Sequence, residues 1–103
     1  MKLDEFDLAL KTMSSVRDDL PVSTVRAFLW IARNQGKTLS ELNRFLGISK
    51  AGTSRQINVL GRGMPGKQGL NLIFSRDNDF DRRLKEIYLT NEGTELYKAL
   101  NFD

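Results

Sequence analysis

The chain has 103 residues, 40% of them hydrophobic, and a formal net charge of +3, which suits one compact domain over residues 1–103. Cysteine and histidine are both absent, which excludes disulfides, thiol and histidine catalysis and the usual zinc sites, and no spacing of serine, lysine or carboxylates suggests an enzyme. Acidic residues near the start and the lack of a long apolar run argue against a signal peptide and a membrane span, so we expect a cytoplasmic protein without membrane partners.

Two helices are predicted in the first third of the chain. Apolar residues recur at three- and four-residue steps from Leu3 to Val16, which predicts an amphipathic helix over about 3–16. A second helix is predicted over 23–34, with Ser23 as its N-cap. Its buried stripe is expected to consist of Val25, Phe28, Leu29 and Ala32.

Two short helices separated by a glycine turn then form a helix-turn-helix pattern. Thr38 and Glu41 have the spacing of a capping box, in which each side chain satisfies a backbone N–H of the other residue, so a helix is predicted over 39–46. Ser49 caps the next helix, predicted over 50–60. The inner face of that helix is expected to consist of Thr53, Ile57 and Leu60.

A hairpin and a last helix follow. Residues 61–69 hold four glycines and a proline and are predicted to form a loop. Alternating apolar residues predict strands at about 70–76 and 84–89, joined by a strongly polar tip. Thr90 is the expected cap of a helix over 91–101. The predicted fold class is therefore α+β, mostly α: a winged helix-turn-helix with a two-stranded β wing.

Basic residues concentrate in the helix-turn-helix and the hairpin. Residues 33–85 hold 11 basic and four acidic side chains, a net charge of +7, whereas the rest of the chain carries −4. The hairpin includes the run Asp81-Arg82-Arg83. A solvated surface would explain the charge alone, but arginines on a hairpin directly after a helix-turn-helix favour a polyanionic partner, duplex DNA.

The order of these elements and several short motifs resemble the MarR family of winged-helix transcription regulators. The resemblance spans roughly Leu20 to Leu100. The D-R-R and L-T-x-x-G pair at this spacing is quite specific, whereas the helix-turn-helix part is shared with many winged-helix families. The matching stretches are T-L-S-E-L at 38–42, L-G-I-S-K at 46–50, S-R at 54–55, D-R-R at 81–83 and L-T-N-E-G at 89–93.

The resemblance implies a sequence-specific double-stranded DNA-binding protein, a transcriptional regulator of the repressor type. Helix 50–60 would enter the major groove and the wing 76–85 the minor groove. Asp81 would stabilise the wing by holding one of its arginines, and Arg82 is favoured for the minor groove. The residues that the resemblance assigns to DNA contact are Thr38, Ser49, Lys50, Ser54, Arg55, Gln56, Asn58, Arg76, Arg82 and Arg83.

Two local features depart from the family pattern. Gly52 lies in the first turn of the predicted recognition helix, where it either permits close approach to the DNA backbone or merely loosens the turn. The loop 61–69 is longer than the link usual in the family and carries Arg62 and Lys67. These two residues either add phosphate contacts or belong to a flexible, solvated linker.

Partners follow from the same resemblance. Family members continue into long C-terminal helices that build a dimer and a small-molecule pocket, whereas about three helical turns follow the wing in this sequence. A homodimer through helices 3–16 and 91–101 is plausible, a small-molecule effector is doubtful, and no cofactor or metal is expected. The alternative function is that of a small phage or mobile-element winged-helix protein, an interaction module that docks on the transcription or replication machinery.

Overall fold

The computed structural model of the protein describes residues 2–100. The helices are α1 (Leu3–Val16), α2 (Val22–Arg33), α3 (Leu39–Leu46), α4 (Lys50–Leu60) and α5 (Asn91–Leu100). The strands form two antiparallel hairpins, β1 (Gly63–Met64) with β2 (Lys67–Gln68) and β3 (Ile73–Asp77) with β4 (Lys85–Leu89). The predicted fold class and all five helices are confirmed, and the last residue of the predicted helix 91–101 lies outside the described residues.

The core is built around α2. Phe28 and Ile31 are fully buried there and pack with Leu42 of α3, Leu60 of α4 and Ile87 of β4. Burial of side chains of this size contributes about 1.5–3 kcal/mol each to the folding free energy. This cluster therefore stabilises the packing of the helix-turn-helix and the wing against α2.

The predicted start and buried stripe of α2 are wrong. Ser23 is not the N-cap, because the helix begins at Val22 and the carbonyl of Pro21 accepts the N–H of Thr24 at 3.0 Å. The proline φ of −63° already suits helix entry, which allows this earlier start. The buried residues form one stripe at helical spacing, but it is rotated relative to the prediction, because the polar Thr24 turns inward and donates its hydroxyl to Gln56 of α4. Of the predicted stripe only Phe28 is buried, and Val25, Leu29 and Ala32 are half-buried. The buried residues are Thr24, Ala27, Phe28 and Ile31.

Two serine and threonine caps set the helix-turn-helix as predicted. The Thr38 hydroxyl accepts the Glu41 N–H at 3.2 Å, and the Ser49 hydroxyl accepts the Gly52 N–H at 3.0 Å. The second hydrogen bond of the expected capping box would join the Thr38 backbone N–H to the Glu41 carboxylate. Instead, the carboxylate accepts a hydrogen bond from the Thr38 hydroxyl at 3.3 Å. Between the helices Gly47 adopts a left-handed conformation with φ of 66°, which ends α3.

The wing is joined to the helix-turn-helix by backbone hydrogen bonds. Ile73 of β3 pairs with Leu89 of β4, and the register runs to the pairing of Asp77 with Lys85 near the tip. On the other edge of β4, Ile87 accepts the N–H of Gly36 at 2.9 Å and donates its own N–H to Lys37 at 3.0 Å. A bridge between Thr38 and Glu86 continues this pairing. Residues 36–38, just before α3, are therefore paired with the outer edge of β4.

The segment between α4 and β3 differs from the prediction at two points. Residues 61–69 are not a loop throughout, because β1 and β2 pair within them. Residues 70–72 do not belong to the strand, because their N–H groups donate to the carbonyls of Val59, Gly61 and Leu60 at the end of α4. Those free helix-end carbonyls compete with the sheet for the same donors, which delays the strand to Ile73.

The described part of the chain, residues 2–100, contains no helix long and apolar enough to cross a membrane. It also contains no group of three or more histidine, cysteine, aspartate or glutamate side chains placed to hold a metal ion.

Candidate nucleic-acid interface

The outer face of α4 is the first component of the candidate site. Lys50, Ser54 and Arg55 are exposed along it, whereas Thr53 and Leu60 are buried on the opposite face. This division follows from helical spacing, because residues three or four positions apart share one face. The helix therefore presents a polar, basic surface to solvent.

Asn43 on α3 fixes the orientation of α4. Its side-chain amide donates to Thr53 Oγ1 at 2.6 Å and to the carbonyl of Ile48 at 3.0 Å. One side chain thereby joins α3, the turn and α4 in a fixed arrangement. Asn43 was missed at the sequence level, where an amide one turn before Gly47 was the available signal.

A groove of about 530 Å³ runs between α3 and α4. It brings two of the predicted contact residues, Lys50 and Ser54, together with Arg44, which the motifs did not single out. Its two basic residues face no acidic residue among those that line it. The full lining is Leu39, Ser40, Asn43, Arg44, Lys50, Thr53 and Ser54.

Gln56 does not point outward as predicted. Its side-chain carbonyl accepts a hydrogen bond from the Thr24 hydroxyl, and its amide donates to Ser23 Oγ at 3.3 Å. Thr24 is almost fully buried on α2, so its hydroxyl needs a partner inside the protein. Gln56 supplies that partner, and it anchors α4 to α2.

The other predicted contact residues of the helix-turn-helix lie at its edges. The hydroxyls of Thr38 and Ser49 are engaged as caps, and Thr38 also lies beside β4. Asn58 is half-buried and lines two cavities of about 540 Å³ each. One cavity lies between α4 and the β1–β2 hairpin and includes Arg55, and the other lies between α4 and β3.

A single asparagine organises the tip of the wing. The Asn78 side-chain oxygen accepts the N–H groups of Phe80 at 2.9 Å and Asp81 at 3.0 Å. Its amide donates to Glu86 at 2.7 Å, and its backbone N–H donates to the carbonyl of Leu84 at 2.9 Å. The tip is thus a hydrogen-bonded turn of fixed shape. Turn composition predicted a turn here but not which residue would direct it.

The two arginines of the tip have different surroundings. Arg83 donates from Nε and Nη2 to the two oxygens of Asp81, both at 3.0 Å. This pairing lowers the pKa of Asp81, through the Arg83 side chain first and the Arg83 backbone N–H second, and it raises the pKa of Arg83. Arg82 is exposed and has no hydrogen bond or ion pair to any of the described residues 2–100. Of the two guanidinium groups, Arg82 is the one that is not paired with another side chain of residues 2–100, whereas Arg83 is paired with Asp81 and still 89% exposed.

Arg76 is held on the face of the wing sheet. Its Nε lies 3.3 Å from Glu86 Oε1, and its Nη2 donates to the Tyr88 hydroxyl at 3.1 Å. Its guanidinium also lies 4.8 Å from the centre of the Tyr88 ring. Hydrogen bonds from Tyr88, then Asn78, then Arg76 lower the pKa of Glu86, and the bond to Glu86 raises the pKa of Arg76. Arg76 is therefore occupied by its own sheet while half of its side chain stays exposed.

Gly52 faces the inside of the turn. It is buried, and a Cβ atom there would lie 3.2 Å from both Ile48 Cδ1 and Ser49 Oγ. The glycine thus leaves room for the cap hydroxyl and for Ile48. The packing inside the turn therefore explains this glycine, without the close approach to the DNA backbone that the sequence suggested as one alternative.

Comparison with known proteins agrees with this geometry. A sequence model of the MarR family matches residues 18–62, which include α2, α3 and α4. The solved structure of MarR is similar to this chain with a TM-score of 0.69 over 87% of this chain and 59% of that chain, at 20% identity. The chain is a MarR-like winged helix.

Two further MarR-like structures are described as DNA complexes. A mutant of MepR from S. aureus bound to an oligodeoxyribonucleotide matches with a TM-score of 0.74 over 94% of this chain and 65% of that chain, at 20% identity. FabT from Streptococcus pneumoniae in complex with DNA matches with a TM-score of 0.64 over 79% of this chain and 52% of that chain, at 20% identity. The chain spans about three fifths of the length of these structures, and no curated protein matches its sequence.

Proposed function

We propose that the chain, with residues 1–103 taken as one domain, binds double-stranded DNA sequence-specifically and acts as a transcriptional regulator of the repressor type. The observation that carries the proposal is the pairing of an exposed basic helix face on α4 with a rigid wing whose tip presents Arg82. The DNA-bound forms of MepR and FabT, which share the MarR-like fold, support it.

The proposed reading element is α4. A helix with its side chains is about 10–12 Å wide, which fits the major groove of about 12 Å. Arg55 has the donors to bind guanine O6 and N7, and Asn58 has the groups to bind adenine N6 and N7. Lys50 and Ser54 line the α3–α4 groove with Arg44 and suit backbone phosphates. We leave Gln56 out of the contact set, because its amide already bonds to α2.

The proposed second element is the wing. Arg82 enters the minor groove, where a narrow A/T tract concentrates negative potential. Asp81 and Arg83 brace the tip through their paired hydrogen bonds. Arg76 stiffens the sheet behind it through Glu86. Because Arg82 has no partner among residues 2–100, its transfer to DNA breaks no ion pair within them.

A homodimer would place two copies of α4 and two wings on one DNA site. The outer side of α1 leaves several apolar side chains exposed, Leu3 at 86% and Phe6 and Leu8 at 50% each. Exposed apolar surface of this kind is typical of protein–protein contacts. A two-fold dimer through α1 and α5 would bind an inverted repeat whose half-sites lie about one helical turn apart.

Fluorescence anisotropy of a labelled duplex against salt concentration tests this proposal. The logarithm of the binding constant should fall linearly with the logarithm of salt, and Arg82→Ala should make that slope shallower by about 1. The matched control is Arg33→Ala, since Arg33 is exposed on α2 and lines neither the groove nor the two cavities beside α4. Absence of binding to any duplex at low salt would refute the proposal.

The second candidate function is a protein-interaction module. The observation that favours it is Phe80, which is 99% exposed at the tip of the wing, where a docking partner could cover the ring. This function predicts that the Arg55→Ala and Arg82→Ala proteins still bind the protein partner in a pull-down, whereas the Phe80→Ala protein does not. The DNA-binding function predicts the reverse order of effects, measured as binding to a duplex.

A further inference from the structure

The β1–β2 hairpin between α4 and the wing is a structured arm within the segment 61–69, which was predicted to be a loop longer than the usual link of the family. Gly63 pairs with Gln68 and Met64 with Lys67. At its base, Gly69 donates to the carbonyl of Arg62 at 3.3 Å. From the side, Arg17 at the end of α1 donates to the carbonyl of Gln68 at 3.1 Å. The arm is therefore attached both to α4 and to the α1–α2 connection.

Two glycines let the two sides of the arm meet. A Cβ atom on Gly63 would lie 2.2 Å from the carbonyl oxygen of Lys67, and one on Gly69 would lie 2.1 Å from the carbonyl oxygen of Gly61. Gly63 also has φ of 86°, which other residues rarely adopt. The glycines therefore serve a close backbone crossing at the base of the arm. A flexible, solvated linker would not need them at these positions.

The charges of the arm are all positive. Residues 61–70 contain Arg62 and Lys67 and no acidic residue. Both basic side chains are exposed, and each lines one of the two cavities that Asn58 also lines. Three basic residues, Arg17, Arg55 and Lys67, meet around the cavity between the arm and α4.

This cavity has the chemistry of a phosphate site. Asp19 is the one acidic residue among those that line its volume of about 540 Å³, and the three basic residues outnumber it. Basic side chains that neutralise backbone phosphates release the cations condensed on the DNA, which is the source of salt-dependent affinity. Lys67 lines this cavity together with Arg55 and Asn58 of α4, the two residues that are proposed to contact bases.

We propose that the β1–β2 hairpin is a second phosphate-binding arm of the DNA interface. Lys67 binds a backbone phosphate next to the bases that Arg55 and Asn58 contact, and Arg62 binds another on the side of β3. The arm extends the contact surface beyond α4 and the wing and adds affinity without adding sequence discrimination. This inference rests on the proposed DNA-binding function.

The test compares Lys67→Gln and Arg62→Gln with the wild-type chain. The probe is a 24-base-pair duplex that the wild-type protein has selected from a random library, and the readout is the slope of log affinity against log salt. Each variant should make the slope shallower by about 0.9, and the double variant by about 1.8. Arg33→Gln is the control, because Arg33 is exposed on α2 and lines neither the α3–α4 groove nor the two cavities beside α4.

A chemical change in the DNA provides the second readout. Neutral methylphosphonates are placed one at a time along both strands of the selected duplex. We expect at least one position that weakens binding of the wild-type chain and has no further effect on Lys67→Gln, because the pair would be coupled. Wild-type slopes in all arm variants, with no coupled phosphate, would overturn the inference while leaving the proposed function standing. Failure of the wild-type chain to bind any duplex would overturn both.

Discussion

At the scale of single residues, the short polar side chains divide into caps and cross-links. The caps Ser49 and Thr90 were predicted from the sequence because capping depends on residues three positions apart. The role of Gln56 could not be predicted, because its partner Thr24 is 32 positions away on another helix. Asn43 and Asn78 were missed for a related reason, since an asparagine's side-chain partners depend on the folded turn around it.

Removal of the Gln56 amide should destabilise the fold. Gln56→Ala leaves the buried hydroxyl of Thr24 without its partner, which costs about 1–3 kcal/mol of unfolding free energy. Urea denaturation measures this change. Ser54→Ala is the control on the same helix, and we expect it to keep the stability and to weaken DNA binding. A Gln56→Ala protein as stable as wild type but deficient in DNA binding would return Gln56 to the contact set.

The Asp81–Arg83 pair should respond to acid. Because the pair lowers the pKa of Asp81, the ordering that it gives the wing tip is fully present at neutral pH and is lost as the pH falls through that lowered value. We expect the carboxyl resonance of Asp81 in an NMR titration to have its midpoint below the ordinary value of about 3.9. In Arg83→Ala the midpoint should move up toward that value. An equal midpoint in both proteins would show that the Asp81–Arg83 ion pair does not form in solution.

At the scale of elements, helices with a regular apolar period could be predicted from the sequence. Changes caused by competition for backbone hydrogen bonds could not. The bounds of α1, α3 and α4 follow from apolar spacing and caps. The first wing strand was predicted three residues too early, because residues 70–72 bond to the end of α4. The β1–β2 hairpin was taken for a loop, since glycine-rich composition is typical of both.

The contact between α5 and the wing depends on Gly93. A Cβ atom at this position would lie 2.0 Å from the carbonyl oxygen of Leu72, so alanine forces α5 away from the segment that leads into β3. We expect Gly93→Ala to lower the unfolding free energy by about 1–3 kcal/mol, the usual cost of overpacking. Asn91→Ala, at an exposed position in the same helical turn, should change it by less than about 0.5 kcal/mol. Equal stabilities of the two variants in thermal denaturation would disprove this close contact.

At the scale of the whole molecule, the helix-turn-helix and the wing are one unit because they share a core. Leu42, Leu60 and Ile87 come from α3, α4 and β4 and meet beneath Phe28 of α2. The type and order of these elements could be predicted from local patterns. The basic surface beside α4 could not be predicted from the sequence. It depends on how Arg17, Arg55 and Lys67, which come from three separate segments, lie together in the folded chain.

Selection of bound duplexes from a random double-stranded library tests the central claim, sequence-specific DNA binding through α4 and the wing, most directly. The wild-type chain should enrich a defined motif with an A/T-rich stretch where Arg82 enters the minor groove, and a two-fold dimer should enrich it as an inverted repeat with half-sites about 10 base pairs apart. Arg55→Ala should lose preference at one position of that motif. Recovery of sequences no different from the starting library would contradict the account.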